Sequence, residues 1–426
     1  MIKTKAPLLN KISAFIHDLH NVKLDSETLH HASLVVADTY GTAFSGIQTD
    51  AFRTAVESIE LLFGEDDFAV WGTENKTSLL GAIFYNALAI SSTDFDEGHR
   101  KAVGHPASAV VPVAIVLGKY LNSSQEDILK SVVAGYEVGT RFSMARVKEK
   151  ITTYSTGRWA AMASATTAAY LLDLKPDEIS HAISNAAVLS PAMLGGTTDV
   201  STGSMSKEGV AWAVQSGVQS ALIATDDFSG PYLFVDDHDD YNTDILLSGF
   251  GDSWLINSNY FKPYACCRWL HSGIRAAEEI RKTPGFEFND IDEIKIFTFS
   301  RAIDLMDEKY PDNTVKAQFH YSFVVALMLL NGRLSPEYFQ KEHLKDSSVL
   351  ELIDKIKVEE DKNYSNAFPE NLPSRVEIRY SKTNLITKEI LIAPWEFGSH
   401  PDASELKQKF ELQTKKFNHT IWDSFF

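Results

Sequence analysis

Apolar side chains recur every three to four residues along roughly the first 250 positions, the spacing of helices that bury one face. This spacing predicts helices over residues 8–19, 26–45, 54–62, 79–91 and 110–121. Ser124, followed by acidic residues, caps a further helix that extends to about residue 141. Pro176 after Lys175 marks the first turn of another. Residues 158–172 are rich in Ala, Ser, Thr and Met, which favours a central helix with close neighbours.

The pattern changes near Ile256. Alternating apolar and polar residues predict strands over 291–299, 374–380 and 388–392, the last two joined at Lys382–Asn384. Helices are predicted between them over 322–330 and 349–357. We therefore expect a mainly α protein, with a large all-helical domain over 1–256 and a smaller α+β domain over 257–395. A last helix over 402–417 is expected to carry residues 396–426 back to the first domain.

Composition and charge narrow the function classes. The chain has 426 residues, of which 44% are hydrophobic and 23% charged, and a net charge of −17, which argues against nucleic-acid and anionic-membrane partners. No apolar run reaches the ~18 residues of a membrane span, and the N-terminus lacks the apolar stretch of a signal peptide. The only cysteines, Cys266 and Cys267, are adjacent. We expect no disulfide framework and a cytoplasmic location.

Residues 92–106 concentrate the groups that carry chemistry: two carboxylates at Asp94 and Asp96, histidines at His99 and His105, and Arg100. Glycine and proline interrupt them, and the apolar run 107–117 follows. A histidine offers an acid or base near neutral pH, an aspartate can orient it, and an arginine can hold a carboxylate. The segment therefore indicates a site for an anionic substrate. The alternative is a solvated loop whose charges cap neighbouring helices.

Other polar segments are weaker candidates. Residues 195–209 form a Gly/Ser/Thr-rich loop that carries Lys207 and leads into an apolar helix over 210–224, or else a flexible connector. Tyr154 and Arg158 precede the Ala-rich helix, as pocket residues or as helix anchors. The acidic run 236–240 is interpreted as a solvated loop rather than a metal site.

Residues 261–271 lie where the pattern changes and place polar groups among aromatics. Lys262, Arg268 and His271 are the candidates for substrate binding, because ligand sites favour domain boundaries. The alternative is an interdomain hinge with a structural histidine. No zinc-type spacing, phosphate loop or dinucleotide fingerprint appears, and we expect no metal and no cofactor.

Taken in order, these segments resemble the MmgE/PrpD family over nearly the whole chain. The matching segments are 94–100 with His105-Pro106, 135–139, 171–174, 203–209, 228–231, 262–268, 317–319 and 405–410. The resemblance implies an all-helical domain with a smaller α+β lid, a homodimer, and no metal or cofactor. It also implies that Asp94, His105, Lys207 and Lys262 line the site.

One segment departs from the family pattern. The dehydratase and decarboxylase branches have a histidine before the Ala-rich helix, where this chain has Tyr154, Arg158 and Trp159. The Gly-His-Arg…Gly-His-Pro form of the first motif is more similar to the iminodisuccinate epimerase branch.

The expected function is proton abstraction α to a carboxylate of a small di- or tricarboxylate. His105 is the first candidate for the base, oriented by Asp94, and Lys207 is the second if its pKa is lowered. Arg100, Lys207, Lys262 and Arg268 are expected to hold the substrate. The reaction is then dehydration, decarboxylation or epimerisation. The rival classes are a metal-dependent hydrolase and a non-catalytic carboxylate-binding protein.

Overall fold

Helices dominate the structure, a computed structural model that describes residues 7–191, 205, 207–226, 228–237, 239–286, 288–306, 308–417 and 421–425. The mainly α class expected from the apolar spacing is confirmed. No helix in these ranges is both long and apolar enough to cross a membrane.

Among its described residues, the first part of the chain has helices and one short hairpin, β1 (Phe68–Ala69) with β2 (Lys76–Thr77). Its helices are α1 (Leu8–Asp18), α2 (Ser26–Gly46), α3 (Asp50–Val56), α4 (Ile59–Phe63), α5 (Leu79–Ser91), α6 (Pro106–Tyr120), α7 (Gln125–Met144), α8 (Gly157–Leu171), α9 (Pro176–Leu189), α10 (Val210–Ala224), α11 (Phe234–Asp237) and α12 (Thr243–Leu247). The small-residue helix α8 packs against α6, α7, α9 and α10. Its Ala, Ser and Thr side chains allow that close approach on several sides, as the composition predicts.

The second part combines helices with a four-stranded sheet. The helices are α13 (His271–Arg281), α14 (Ser300–Ile303), α15 (Thr314–Phe319), α16 (Tyr321–Asn331), α17 (Ser347–Lys355) and α18 (Lys362–Ala367), and the strands are β3 (Ile291–Thr298), β4 (Ile356–Glu360), β5 (Ser374–Tyr380) and β6 (Asn384–Ile390). The strand order is β4-β3-β5-β6. β3 runs parallel to β4 and antiparallel to β5, with Ile294 opposite Ile356 on one side and Ile378 on the other. The last helix is α19 (Ala403–Thr414).

Several elements differ from the apolar-spacing prediction. The helix expected over 54–62 is two helices, α3 and α4, and the hairpin of β1 and β2 is not predicted. The helix expected from residue 110 begins at Pro106, because proline fits the first turn, where its missing N–H is not needed. The strand predicted over 388–392 is β6, which begins at Asn384. Strand β4 is not predicted because α17 runs directly into it, and its first two residues fall inside the helix expected over 349–357.

Buried apolar side chains form two clusters. The first cluster holds the helices of the first part together with α19, and the second lies between the sheet and helices α13, α16 and α17. The chain passes from one cluster to the other between Phe261 and Tyr264. Phe95 also belongs to the second cluster, although its neighbours in sequence pack in the first. The predicted boundary at residue 256 stays a prediction, but both 92–106 and 261–271 lie where the two clusters meet.

Helix α19 packs along α2, almost the whole chain length away in sequence. Leu406 and Phe410 are buried in the first cluster, and the Phe410 ring contacts Trp422 edge-on. A Cβ at Gly41 would come within 2.8 Å of the Phe410 ring, so a glycine is needed for this approach. The N-terminus of α19 is fixed by a capping box between Asp402 and Glu405.

We expect Phe410→Ala to destabilise the protein by about 3–5 kcal/mol, the range for a buried aromatic truncated to alanine. Leu412→Ala, two positions along the same helix at a site that is 47% exposed, is the matched control and should change stability by less than ~1 kcal/mol. The denaturant midpoints of the two variants are compared with that of the parent protein. Equal losses would contradict the packing described here.

Candidate active site

Residues 92–105 connect α5 to α6 and place most of the chemical groups of the site. His105 is the residue before α6, and Pro106 begins the helix. The Glu97 carboxylate accepts a hydrogen bond from the backbone N–H of Ala107 at 2.8 Å, which satisfies a donor at the helix start. The backbone N–H of His105 donates to Thr156 Oγ1 at 3.1 Å. The imidazole therefore sits on a rigid helix terminus.

Asp94 lies at the centre of a buried cluster of charges. Its Oδ1 accepts from Lys207 Nζ at 2.5 Å and from Lys262 Nζ, and Lys262 Nζ also donates to the Asp94 carbonyl at 3.0 Å. Burial opposes ionisation of this carboxyl group, but the charges of Lys207 and Lys262 outweigh burial and hold its pKa well below the usual range. Asp94 has a left-handed backbone conformation, with φ of 49°. We call Asp94, His105, Lys207 and Lys262 the Asp94 cluster.

His105 presents an unprotonated nitrogen to this cluster. Its Nδ1 lies 2.7 Å from the Glu97 carbonyl oxygen, which can only accept, so Nδ1 carries the proton in the neutral ring. Nε2 lies 3.4 Å from both Asp94 Oδ1 and Lys207 Nζ. Burial lowers the pKa of His105, and the two lysines lower it further, against the opposing effect of Asp96 and Glu208. The ring is therefore neutral at neutral pH, with the Nε2 lone pair available.

Lys207 stays charged. Burial alone would lower its pKa, but the negative charges of Asp94, Asp96 and Glu208 outweigh burial and raise the pKa above the ordinary value. The condition on which Lys207 was the second candidate for the base, a lowered pKa, is therefore not met.

Two carboxyl groups of the 92–105 segment received no role from the sequence. Asp96 is fully buried, and Asp96 Oδ2 lies 3.4 Å from His105 Nδ1, without a hydrogen bond to either carboxylate oxygen from the described residues. Burial raises the pKa of Glu97 to about 8, although Tyr136 and Asn259 donate to its carboxylate. The only signal in the sequence was the density of acidic residues at positions 94, 96 and 97.

His99 and Arg100 lie outside the Asp94 cluster. His99 Nδ1 accepts from the backbone N–H of Ala102 at 3.2 Å, and burial lowers the pKa of His99 to about 3. The Arg100 guanidinium donates to the Glu370 carbonyl at 2.6 Å and lies 3.5 Å from Glu396. These two side chains, predicted as substrate ligands, contact protein groups within the segment and in the second part of the chain.

Arg268 and His271 lie at the junction and bind protein groups. Arg268 is buried and donates to the Pro394 carbonyl at 2.6 Å and to Glu396 at 3.1 Å, with its guanidinium 4.6 Å from the centre of the Tyr260 ring. His271 lies between Arg268 Nη1 at 3.3 Å and the Cys266 carbonyl at 3.2 Å. Of the predicted ligands in 261–271, the structure therefore brings only Lys262 to Asp94.

Tyr154 and Arg158 are exposed, and the buried residue of their segment that contacts the site is Thr156. Thr156 also holds the Glu208 side chain, because its backbone N–H donates a hydrogen bond to the Glu208 carboxylate at 2.8 Å. The predicted loop 195–209 lies largely outside the described residues, which include only 205 and 207–209 of it. In the acidic run 236–240, the described residues are exposed, as expected for solvated charges, but Asp236 and Asp237 belong to helix α11 and not to a loop. His238 lies outside the described ranges.

A separate cleft of about 70 Å³ lies on the border between the two clusters. Thr93 and Phe95 line it together with Gln318, Ser335 and Gln413, and none of the four residues of the Asp94 cluster does. The cleft is therefore separate from the Asp94 cluster.

Two family models match the chain. Residues 10–246 match the MmgE/PrpD N-terminal domain, and residues 264–419 match the MmgE/PrpD C-terminal domain. The chain belongs to the MmgE/PrpD family. The resemblance inferred from the ordered motifs is confirmed.

Curated relatives of this MmgE/PrpD chain are similar over most of their length. Cis-aconitate decarboxylase of Homo sapiens is 25% identical over 393 residues, which cover 88% of this chain and 79% of that protein. Cis-aconitate decarboxylase of Aspergillus terreus is 20% identical over 416 residues, covering 91% and 85%.

One group of side chains in this MmgE/PrpD chain has the spacing of metal ligands. Asp94, Asp96 and His105 each offer one atom, and these atoms lie within 4.8 Å of one another. A metal there would meet two ammonium groups already bound to Asp94 Oδ1. The residues therefore fit a bound anion beside the lysines better than a bound cation.

We expect Lys207→Met to raise the pKa of His105 and Asp96→Asn to lower it, because the first removes a positive charge and the second a negative charge near the ring. In the parent protein His105 should titrate below the usual ~6.5 of histidine. Labelled-histidine NMR measures this titration, with the signal assigned by its loss in His105→Gln. A shift of the His105 pKa in the opposite direction in either variant would refute this account of the site.

Proposed function

We propose that this MmgE/PrpD chain is a cofactor-independent lyase that acts on a small di- or tricarboxylate by removing a proton α to a carboxylate. The observation that carries the proposal is the neutral His105 ring, whose Nε2 faces two buried ammonium groups held on Asp94. A base and an anion-binding pair lie together within hydrogen-bonding reach.

The two lysines attract and hold the substrate. Two ammonium groups share one carboxylate at Asp94, and the carboxylates of Asp96 and Glu208 lie near enough to Lys207 to act on it. Each ammonium has three N–H donors, so both retain protons for a substrate carboxylate. His105 Nε2 takes the α-proton, and the negative charge that develops on the carboxylate oxygens is stabilised by the ammonium groups that already bind them.

Asp94 keeps the Lys207 side chain protonated, so that it can bind a substrate carboxylate. A buried ammonium without a partner tends to lose its proton, and a neutral amine binds a carboxylate weakly. Because Asp94 raises the pKa of Lys207, that side chain remains a cation and stabilises charge rather than acting as the base. His105 is then the remaining base among the four residues of the cluster.

How the carbanion forms and what becomes of it decide the reaction. In dehydration, His105 removes the α-proton and the carbanion expels a β-hydroxyl group. In decarboxylation, loss of CO₂ from a carboxylate forms the carbanion, which is then protonated. The relatives named cis-aconitate decarboxylase match along most of the chain, which supports a dehydratase or decarboxylase over the other outcomes.

An epimerase of the iminodisuccinate type is the second candidate. It is favoured by the segment at Tyr154 and Arg158, where the lyase branches have a histidine and this chain has none. In that reaction the carbanion is reprotonated and nothing leaves. The dehydratase and the epimerase both begin by removing the α-proton, whereas a decarboxylase begins by losing CO₂. One experiment that follows the product therefore separates the three.

The burial of the Asp94 cluster supports the prediction that residues 257–395 act as a lid. His105, Lys207 and Lys262 are each more than nine-tenths buried, so a substrate reaches them only if part of the protein moves. Lys262 comes from the side of the second cluster, and we propose that movement of this part opens the site. The homodimer remains a proposal that light scattering in solution tests directly.

We expect proton NMR in D₂O, with a panel of di- and tricarboxylates, to show exchange of an α-proton for deuterium in at least one compound. A new alkene or loss of a carboxylate identifies a lyase, and inversion without loss identifies an epimerase. His105→Ala should lower the rate ~10²-fold or more, as removal of a general base does. His20→Ala, which alters a histidine paired with Asp173 far from the cluster in sequence, is the control.

A panel without any exchange or turnover would favour the non-catalytic carboxylate-binding protein. Near-normal turnover by folded His105→Ala would remove His105 from the mechanism while leaving the lyase assignment open to another base.

We expect dialysis against a chelator to leave turnover unchanged, because ammonium groups already occupy the carboxylate that a metal would need. Turnover is measured before and after chelation, and again after adding back single divalent ions. Loss of activity that one ion restores would contradict the cofactor-free mechanism and favour a metal-dependent one.

A further inference from the structure

Lys409, on the last helix of the chain, reaches the 92–105 segment from the side of α2. It is buried, and its Nζ lies 2.7 Å from Asp38 Oδ1 on α2 and donates to the Phe95 carbonyl at 2.7 Å. The same ammonium lies 4.1 Å from the centre of the Phe95 ring. Lys409 therefore holds one residue, Phe95, by both its carbonyl and its ring.

The pair of Asp38 and Lys409 is costly as a purely structural contact. Burial raises the pKa of Asp38 and lowers that of Lys409, so each group resists the charge that the pair requires. Buried ion pairs of this kind often contribute no more stability than apolar residues of the same size. Attachment of α19 to α2 is already provided by Leu406 and Phe410. The pair therefore calls for a second explanation.

Phe95 directly follows Asp94, which has the left-handed backbone conformation. A non-glycine residue in this conformation is strained and persists only when its surroundings fix it. Two buried lysines hold consecutive carbonyls here: Lys262 binds that of Asp94, and Lys409 binds that of Phe95. The left-handed conformation at Asp94 is thus fixed by hydrogen bonds to two consecutive carbonyls, those of Asp94 and Phe95.

We propose that Lys409 is a positioning residue for the reaction, which holds the Asp94–Phe95 peptide so that the Asp94 carboxylate meets Lys207 and Lys262, while Asp38 balances its charge. Lys409 acts through the backbone and does not touch substrate. This inference rests on the proposed function for its kinetic test and on the geometry of the Asp94 cluster for its spectroscopic test.

The double variant Asp38→Asn with Lys409→Met separates positioning from stability. It removes both charges together, so no unpaired buried charge remains, and its thermal midpoint should lie within a few degrees of that of the parent protein. Its kcat should still fall ~10-fold or more with little change in KM, because a displaced catalytic group costs rate rather than binding. If the thermal midpoint and the kcat of the double variant both equal those of the parent protein, the proposal is overturned and the ion pair is only structural.

Single variants decide the matter if the double variant does not fold. Asp38→Asn leaves the contact between Lys409 and the Phe95 carbonyl and should keep kcat within ~3-fold, whereas Lys409→Met removes that contact and should lose ~10-fold or more. Equal losses in the two would overturn the proposal. Lys416→Met is the matched control, since Lys416 follows the same helix and donates to Gln48.

The NMR titration of His105 keeps this test independent of the substrate. The double variant changes no net charge, so a shift of the His105 pKa by ~0.5 units or more reports a rearranged Asp94 cluster. An unchanged titration together with unchanged kcat overturns the proposal. If the parent protein turns over no polycarboxylate, the proposed function fails, and the titration alone decides the role of Lys409.

Discussion

The burial of one carboxylate between two lysines is the interaction on which the rest of the site depends. Asp94 receives Lys207 from the start of α10 and Lys262 from the border of the second cluster. None of the three charges would be tolerable alone at this depth. Burial keeps His105 neutral, and the two lysines act in the same direction. The lysines thus act both on a bound anion and on the imidazole.

The fold supplies this interaction by bringing three distant parts of the chain to one border. The 92–105 segment is fixed by the start of α6, Lys262 lies where the chain changes cluster, and Lys207 precedes α10. Helix N-termini and a cluster border are rigid places, and this rigidity preorganises charges for catalysis. Arg100 and Arg268, which share Glu396, strengthen the border without joining the cluster.

The apolar pattern predicted most helices and three strands because burial on one face leaves a periodic trace. It missed β4, since five residues of alternation at the end of a helix are too few to separate a strand from a last turn. In the site, Asp94, His105, Lys207 and Lys262 are predicted because their residue types are unusual in such surroundings, and the structure brings them together. Asp96 and Glu97 have no predicted role, and the protein partners of Arg268 and His271 are not predicted, because sequence shows which groups are polar but not which partner satisfies them.

The pairing of α2 with α19 has a consequence for biosynthesis. Ribosomes make α2 long before α19, so the partner of Asp38 and of the narrow face at Gly41 arrives much later in translation. Contacts of such long sequence separation form slowly, because the entropy of closing a long loop must be overcome first. Until α19 is made, the face of α2 that it covers lacks this partner, and exposed apolar surface of that kind favours aggregation.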